Sequence, residues 1–104
     1  MRDYPSPDDI AERFLLLRLA LGQNQTFMAE LIGVSQTAWS KYEVGIATPS
    51  YWNLREIHRK TGCPPEWLME GNVSRMPANL LTDIERHRKR PRLGVRQTRR
   101  TASA

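Results

Sequence analysis

The sequence has a single cysteine, Cys63, and no long apolar run. One thiol cannot form an internal disulfide, so a reducing, cytoplasmic location is expected. A membrane-spanning helix needs about 18 or more consecutive apolar residues, which this chain does not have, so no membrane partner is expected. Residues 1–9 are polar and acidic, and a signal peptide is not expected either.

Catalytic and metal-binding patterns are also missing. The two histidines, His58 and His87, lie in different parts of the chain, and no cluster of metal-ligand residues surrounds either. Cys63 lies beside two prolines without a neighbouring base, which argues against a nucleophile. The six glycines are scattered and form no phosphate-binding loop. The sequence therefore predicts no enzyme activity, no metal and no cofactor.

Acidic residues are missing from the end of the chain. The sequence has 16 Lys or Arg and 11 Asp or Glu, with a net charge of +5. Eight of the basic residues follow Glu85, where there is no acid, so residues 1–85 keep eight basic and eleven acidic side chains and a net charge of −3. The basic tail consists of Arg86, Arg88, Lys89, Arg90, Arg92, Arg96, Arg99 and Arg100. Such a run is typical of a disordered, solvated extension, which can still contact DNA.

The stretch 25–45 has a clear helical pattern. Its first apolar residues recur at helical spacing until Gly33, and Trp39 and Tyr42 then repeat that spacing. Gly33 suits a left-handed residue at the end of a helix, and Ser35 suits an N-cap. Two short helices joined by a tight turn, a helix-turn-helix, are predicted. Two core helices of an unrelated small bundle would show the same periodicity.

The second of these helices presents polar side chains to solvent in this prediction. Trp39 and Tyr42 face the core, so the opposite face carries Gln36, Thr37, Ser40 and Lys41. Short or flexible hydrogen-bonding side chains of this kind suit base edges and phosphates of DNA.

The motifs in and around this stretch are Arg18, Gln25, Ala29, Gly33, Ser35-Gln36, Lys41-Tyr42-Glu43, Gly45, Pro49 and Pro65-Glu66-Trp67-Leu68. Together they resemble the phage-repressor and Cro-type (XRE-like) helix-turn-helix family over about residues 8–71. The resemblance implies an all-α domain that binds double-stranded DNA through Gln25, Ser35, Gln36, Thr37, Ser40 and Lys41. The loop 46–48 departs from the family because it lacks basic residues, which puts one backbone contact in doubt.

The resemblance also implies roles for two residues outside the base-facing helix. An Arg at the position of Arg18 often pairs with a Glu at the position of Glu43 in the family. The alternative is an exposed Arg18 with only a weak surface contact. Gln25, at the start of its helix, would contact a DNA phosphate, or else would be a solvated polar side chain.

The chain is predicted to contain five short helices and a candidate sixth. The expected divisions are a flexible N-terminus at 1–7, the DNA-binding domain at 8–71, a linker with an amphipathic helix at 72–90 and a disordered basic tail at 91–104. The fourth helix is predicted to start at Thr48-Pro49, with Tyr51, Leu54, Ile57 and His58 inside. Trp67 and Leu68 of the fifth helix are predicted to cover the core. The candidate sixth helix spans residues 76–85, with Leu80, Leu81 and Ile84 on one face.

Some apolar side chains do not fit this inner pattern. Trp52 is out of phase with its helix, so it marks a protein interface or packs against the C-terminal segment. Phe27 and Leu31 stand where the family usually has polar residues, and Phe27 is a second candidate contact for a protein partner.

The favoured function is a sequence-specific DNA-binding regulator, a small repressor that acts as a homodimer on an inverted repeat. The alternative is a protein-interaction module of the same fold, such as an antitoxin or a coactivator.

Overall fold

The computed structural model describes residues 7–89, and the side chains of residues 9–88. This range contains six helices and no strand, which confirms the predicted all-α class. The helices are α1 (Pro7–Leu21), α2 (Gln25–Ile32), α3 (Gln36–Val44), α4 (Tyr51–Thr61), α5 (Pro65–Glu70) and α6 (Ala78–Lys89). The expected flexibility of the N-terminus and disorder of the tail concern residues largely outside this range.

The ends of α2 and α3 follow from their capping residues. The Asn24 side-chain oxygen accepts a hydrogen bond from the N–H of Phe27 at 2.8 Å, and the Ser35 hydroxyl accepts one from Ala38 at 3.0 Å. Gly33 ends α2 in the left-handed conformation with φ of 78°, which L side chains rarely adopt. The turn between the two helices is therefore determined by local chemistry, and it holds the start of α3 at a fixed angle to α2.

Helix α1 packs against α3, α5 and α6 and lies at the centre of the fold. Phe14 on α1 contacts both aromatic rings of α3, with 5.4 Å between ring centroids to Trp39 and to Tyr42. The contact with Trp39 is edge-to-face, an arrangement that aromatic pairs favour. This cluster fixes the rotation of α3 and turns the opposite face of α3 outward.

Helix α6 is packed into the same core as the helix-turn-helix. Leu80 and Ile84 are buried and belong to the main hydrophobic cluster. The helix begins at Ala78 and ends at Lys89, later at both ends than the predicted span of 76–85. Pro77 precedes its first turn, and the Pro77 carbonyl accepts the N–H of Leu81 at 2.9 Å.

The prediction for the start of α4 was wrong. The Ser50 hydroxyl accepts the N–H of Asn53 at 3.2 Å, so Ser50 is the N-cap and the helix begins at Tyr51. Tyr51 and His58, predicted to lie inside, are exposed, whereas Ile57 is buried. The reason is that Asn53 faces α3 and donates to the Tyr42 hydroxyl at 3.2 Å. Because the polar Asn53 lies on the inner face of α4, the apolar residues alone do not show which face of this helix is buried.

Three residues in and just before α5 are buried: Cys63, Trp67 and Leu68. Burial raises the pKa of the Cys63 thiol to about 12, so the side chain behaves as a small apolar group. The Arg13 guanidinium donates to the Leu68 carbonyl at 2.9 Å, which satisfies an acceptor at the end of α5. The short helix is thus joined to α1 by both packing and a hydrogen bond.

We expect Trp67→Ala to lower the free energy of unfolding by about 3–5 kcal/mol. The Trp67 side chain is large and only 1% exposed, so its removal leaves a cavity in the core. Chemical denaturation monitored by circular dichroism measures this change. Trp52→Ala is the matched control, since Trp52 is 65% exposed and its removal should change stability by less than about 0.5 kcal/mol. Equal losses for both variants would contradict the assigned burial of Trp67.

Candidate nucleic-acid interface

The buried Glu43 carboxylate joins three helices. Its Oε1 accepts hydrogen bonds from Arg18 Nη2 at 3.0 Å and from Gln25 Nε2 at 2.9 Å. Its Oε2 accepts from Arg18 Nε and from Trp39 Nε1, each at 2.5 Å. A buried carboxylate is costly unless it is paired and hydrogen-bonded, and here both oxygens have charged and neutral donors. The last turns of α1 and α3 are thereby held to the first turn of α2.

Local sequence places these donors. Trp39 and Glu43 are four residues apart on α3, so they lie on the same face of that helix. Arg18 stands in the last turn of α1, where its planar guanidinium presents two parallel donors to the carboxylate. A third guanidinium nitrogen donates to the Gln23 carbonyl at 3.2 Å. Arg18 and Glu43, for which the resemblance implied a pair, lie in a bidentate arrangement in the structure.

A second link in this network reaches the surface. Gln36, at the first position of α3, donates from Nε2 to Gln25 Oε1 at 2.7 Å. Because Gln25 in turn donates to Glu43, a continuous chain of hydrogen bonds runs from a buried carboxylate to the exposed Gln36 amide. The two contacts set the orientation of both amide groups. Gln36 keeps its carbonyl oxygen and one amide hydrogen for a further ligand.

The other predicted residues of α3 surround Gln36. Thr37 and Lys41 are exposed one turn apart, and Ser40 is half-buried beside them. Ser35 uses its hydroxyl to cap the helix. The outward face of α3 thus gathers hydroxyl, amide and ammonium groups on a helix of nine residues.

The basic tail begins on α6. Arg86 lies 2.7 Å from Asp83 and Arg88 lies 3.5 Å from Glu85, both as surface pairs within the helix. Lys89 is the last residue of α6. The remaining predicted tail residues lie outside the described part of the chain: Arg90, Arg92, Arg96, Arg99 and Arg100.

The segment that begins at the last residue of α3 is uncharged and exposes several hydrophobic side chains. No Asp, Glu, Lys or Arg occurs from Val44 to Leu54. Val44, Ile46, Tyr51 and Trp52 in this segment are all exposed. On α2, Phe27 is exposed as well, while Leu31 is packed partly against the core. The loop 46–48 lacks the basic residues with which family members contact phosphate. This side of the site exposes hydrophobic side chains instead.

Neither a metal-binding cluster nor a membrane-spanning helix occurs among the described residues. Between residues 7 and 89, no group of three or more His, Cys, Asp or Glu is placed to hold a metal ion. None of the helices in that range is long and apolar enough to cross a membrane.

Sequence reasoning missed the hydrogen bonds that connect the site. The Gln25–Gln36 and Gln25–Glu43 contacts join residues 11 and 18 positions apart, so no local spacing rule predicts them. The bond from Trp39 to Glu43 had a signal in its four-residue spacing on one helix. Trp39 is both a core side chain and a hydrogen-bond donor, and apolar periodicity predicts only the first of these roles.

A double-mutant cycle on Arg18→Met and Glu43→Gln should give a coupling energy of about 1–3 kcal/mol in chemical denaturation. The pair is bidentate and largely shielded from water, so its charged hydrogen bonds are weakly screened. The control cycle, Arg86→Met and Asp83→Asn, removes a largely exposed pair and should give about 0.2–0.5 kcal/mol. A coupling for the first pair no larger than that of the second would contradict a structural role for Glu43.

Three comparisons relate this geometry to known proteins. The HTH_3 (helix-turn-helix) family model matches residues 15–68, from the second half of α1 to α5. The SPbeta prophage-derived uncharacterized HTH-type transcriptional regulator YonR of Bacillus subtilis (strain 168) is 30% identical over 75 residues, which covers 71% of this chain and 69% of that protein. The structure of the P22 c2 repressor protein, solved in complex with synthetic operator 9T in the presence of Tl+, is similar with a TM-score of 0.57 and 28% identity, over 61% of this chain and 96% of that one. These similarities confirm the resemblance seen in the motifs, and the chain belongs to the HTH_3 helix-turn-helix family.

Proposed function

We propose that this protein is a sequence-specific, double-stranded DNA-binding transcriptional regulator, and that α3 enters the major groove as its recognition helix. The observation that carries the proposal is the oriented amide of Gln36 at the exposed start of α3, held by Gln25 and through it by Glu43. The two similar proteins support it, since one is named a transcriptional regulator and the other was solved with an operator.

The free groups of Gln36 suit adenine. The carbonyl oxygen would accept from adenine N6, and the remaining amide hydrogen would donate to adenine N7, the bidentate pattern typical of Gln. Thr37, one position along, would contact a thymine methyl or an adjacent base edge through its methyl and hydroxyl. Ser40 and Lys41 lie one turn further and would reach bases or phosphates there.

The start of α2 would contact the DNA backbone beside this base. Gln25 keeps one amide hydrogen beyond its two described contacts, and the first N–H groups of a helix attract phosphate. One phosphate bound at this point would contact the residue that orients Gln36. Backbone contact and base readout would therefore be coupled through a single side chain.

Preorganisation is the physical advantage of this network. A free glutamine side chain loses rotamer entropy when it binds a base. Here the Gln36 rotamer is restrained before DNA arrives, so less of that entropy is lost in the complex. The network should therefore sharpen the preference for one base step more than it raises overall affinity.

The protein would act as a homodimer and as a repressor. One α3 reads only a few base pairs, so a homodimer on an inverted repeat would supply the specificity of a regulator, with half-site centres separated by about 10–10.5 base pairs or a multiple. By occupying such a site, the protein would act as a small repressor. Its expected location is the cytoplasm.

The basic tail would supply much of the attraction to phosphate. Residues 1–85 have a net charge of −3, and Lys41 is the one cation on the outward face of α3. Eight cationic side chains follow Glu85, and each phosphate that they neutralise releases counterions. The tail would act as a basic arm along the backbone or in the minor groove and leave base readout to α3.

Gln36→Ala should weaken binding to the best site by about 1–3 kcal/mol and relax the preference at one base step, because two base-facing hydrogen-bonding groups are lost. Selection of sites from random DNA, followed by affinity measurements on the selected site, tests both effects. The control is Gln23→Ala, which removes another exposed Gln whose side chain lies outside the network described above. If Gln36→Ala keeps the same selected sequence and affinity, Gln36 does not read bases.

Removal of residues 90–104 should reduce the salt dependence of DNA affinity while the sequence preference is kept. The cut follows Lys89 because α6 ends there. It deletes five Arg residues, and each lost phosphate contact should flatten the slope of log affinity against log salt by roughly 0.9. Titrations of both proteins across a salt series measure the slopes.

The matched control for the truncation is a full-length variant with Lys at the same five positions, which keeps the charge and should keep most of the slope. Equal slopes for the truncated and intact proteins would contradict the arm. Loss of sequence preference at unchanged affinity would show that the tail reads bases.

A further inference from the structure

We propose that the exposed face of α4 binds a different protein through a short, acidic, helical segment of that protein. Four side chains form this face, Tyr51, Trp52, Arg55 and Arg59, and we call them the α4 surface. The proposal goes beyond DNA recognition, because it gives the chain a protein partner and does not depend on base readout by α3. The partner segment would supply carboxylates to the two Arg side chains and a large apolar side chain to the indole.

The α4 surface has the spacing by which one helix packs along another. Trp52, Arg55 and Arg59 stand three and four residues apart, so they follow one side of α4 over about 10 Å. All members of the α4 surface are exposed, whereas Ile57 is buried on the inner side of the helix. An alternation of three and four residues is the seam of paired helices, so a helical partner fits this side of α4.

The aromatic end of the α4 surface is ordered before any partner binds. Tyr51 and Trp52 pack edge-to-face with 5.5 Å between their ring centroids. The Arg55 guanidinium carbon lies 5.6 Å from the centroid of the Trp52 ring, at cation–π distance. Trp52 is nevertheless 65% exposed, and Trp, Tyr and Arg are the residue types most enriched among the strongest contacts of protein interfaces. A restrained indole loses little rotamer freedom when an apolar side chain covers it.

The other end of the α4 surface carries positive charge in excess. Arg59 donates to both oxygens of Glu56, at 3.0 Å and 3.3 Å, and the Lys60 ammonium lies 3.8 Å from the same carboxylate. One carboxylate therefore serves two cations, and Arg55 adds a third beside Trp52. A carboxylate of a partner would bind the Arg55 guanidinium through two parallel hydrogen bonds while its neighbouring apolar side chain covers the indole.

The charge of the rest of the domain favours an acidic partner at α4. This helix contains three cations and one acid, a net charge of +2. Outside α4, residues 1–85 have five basic and ten acidic side chains, a net charge of −5. An acidic segment is attracted by α4 and repelled by most of the remaining domain, so charge directs it to this helix.

The same charges argue against two other protein occupants. Residues 90–104 contain five Arg and no acid, so the chain's own tail is repelled by the cations of α4. A symmetric contact of the α4 surface with a second copy would place Arg55 and Arg59 against the same residues of that copy. Like charges that meet across an interface lower its affinity.

A nucleic acid fits the α4 surface less well than an acidic peptide. The bases of a duplex are stacked inside it, so none is available to cover the Trp52 ring. Glu56 lies among the cations and repels phosphate there. A strand has a negative charge on every nucleotide and would extend from α4 onto the acidic remainder of the domain, whereas a helical peptide can have carboxylates at two turns only.

Peptide selection tests the chemical class of the partner. A display library of helical peptides of about 14 residues, or four turns, is selected on the immobilised full chain and counter-selected on the Trp52→Ala/Arg55→Ala double variant. Enriched peptides should combine Asp or Glu with a Leu, Phe or Trp one turn away. Enrichment of basic or neutral peptides, or of none that distinguish the two proteins, would overturn the proposal.

Charge reversal tests whether Arg55 pairs with a carboxylate. For the best selected peptide, fluorescence anisotropy should show that Arg55→Glu weakens binding at least about tenfold. The peptide with Lys in place of its Glu residues should then bind the Arg55→Glu protein better than the original protein. The matched control is Arg75→Glu, because Arg75 is an exposed Arg outside α4 and pairs with Glu66. Equal losses for the two variants would mean that overall charge, and not the α4 surface, attracts the peptide.

NMR spectra of the free protein distinguish the occupants. Trp39 and Trp67 are buried, so Trp52 is the indole that a partner can reach. The selected peptide should shift the Trp52 indole N–H resonance and leave the other two in place. An equal shift with a short random DNA duplex would identify a nucleic-acid surface, and an equal shift on concentrating the protein alone would identify a second copy. Either result contradicts the proposal, and none of these measurements requires that α3 reads bases.

Discussion

The structure depends on one buried carboxylate. Glu43 lies where α1, α2 and α3 meet, and its two oxygens accept hydrogen bonds from Arg18, Gln25 and Trp39. Removal of one partner from such a group leaves a buried charge or donor unsatisfied, which is more costly than the loss of a surface pair. Glu43 therefore holds the last turns of α1 and α3 against the first turn of α2.

Apolar packing and the polar network have different effects on α3. The contacts of Phe14 with Trp39 and Tyr42 determine the rotation of the helix against α1. The chain from Glu43 through Gln25 to Gln36 then restrains a side chain at the exposed start of that helix. A hydrophobic core alone would leave Gln36 to sample several rotamers. The hydrogen bonds through Gln25 restrain the exposed Gln36 amide because they connect it to the buried Glu43 carboxylate.

Neutral hydrogen-bonding groups and clustered cations occupy different parts of the chain. The described residues around α3 offer mostly neutral hydrogen-bonding groups, which distinguish bases but attract phosphate weakly. The cations are concentrated after Glu85, and the segment after α3 has hydrophobic side chains in place of basic ones. In the proposed function, this division assigns base readout to α3 and long-range attraction to the tail.

Local sequence determined most of the helices of this protein and their boundaries. Asn24, Gly33 and Ser35 set the turn between α2 and α3, because caps and left-handed glycines act over three or four residues. The motifs also predicted the family and the outward face of α3. The start of α4 and the exposure of Tyr51 were not predictable in this way, because a polar inner residue, Asn53, finds its partner on α3.

Only the tertiary structure decided how distant residues meet. Gln25 and Gln36 are adjacent because the turn brings two helix starts together, and α6 is part of the core because α1 has a second face to bury. The hydrogen bonds from Arg18 and Gln25 to Glu43 depend on the packing of three helices, which no periodicity records. Short-range rules specify elements, whereas the angles and contacts between elements arise from burial and hydrogen bonding over the whole domain.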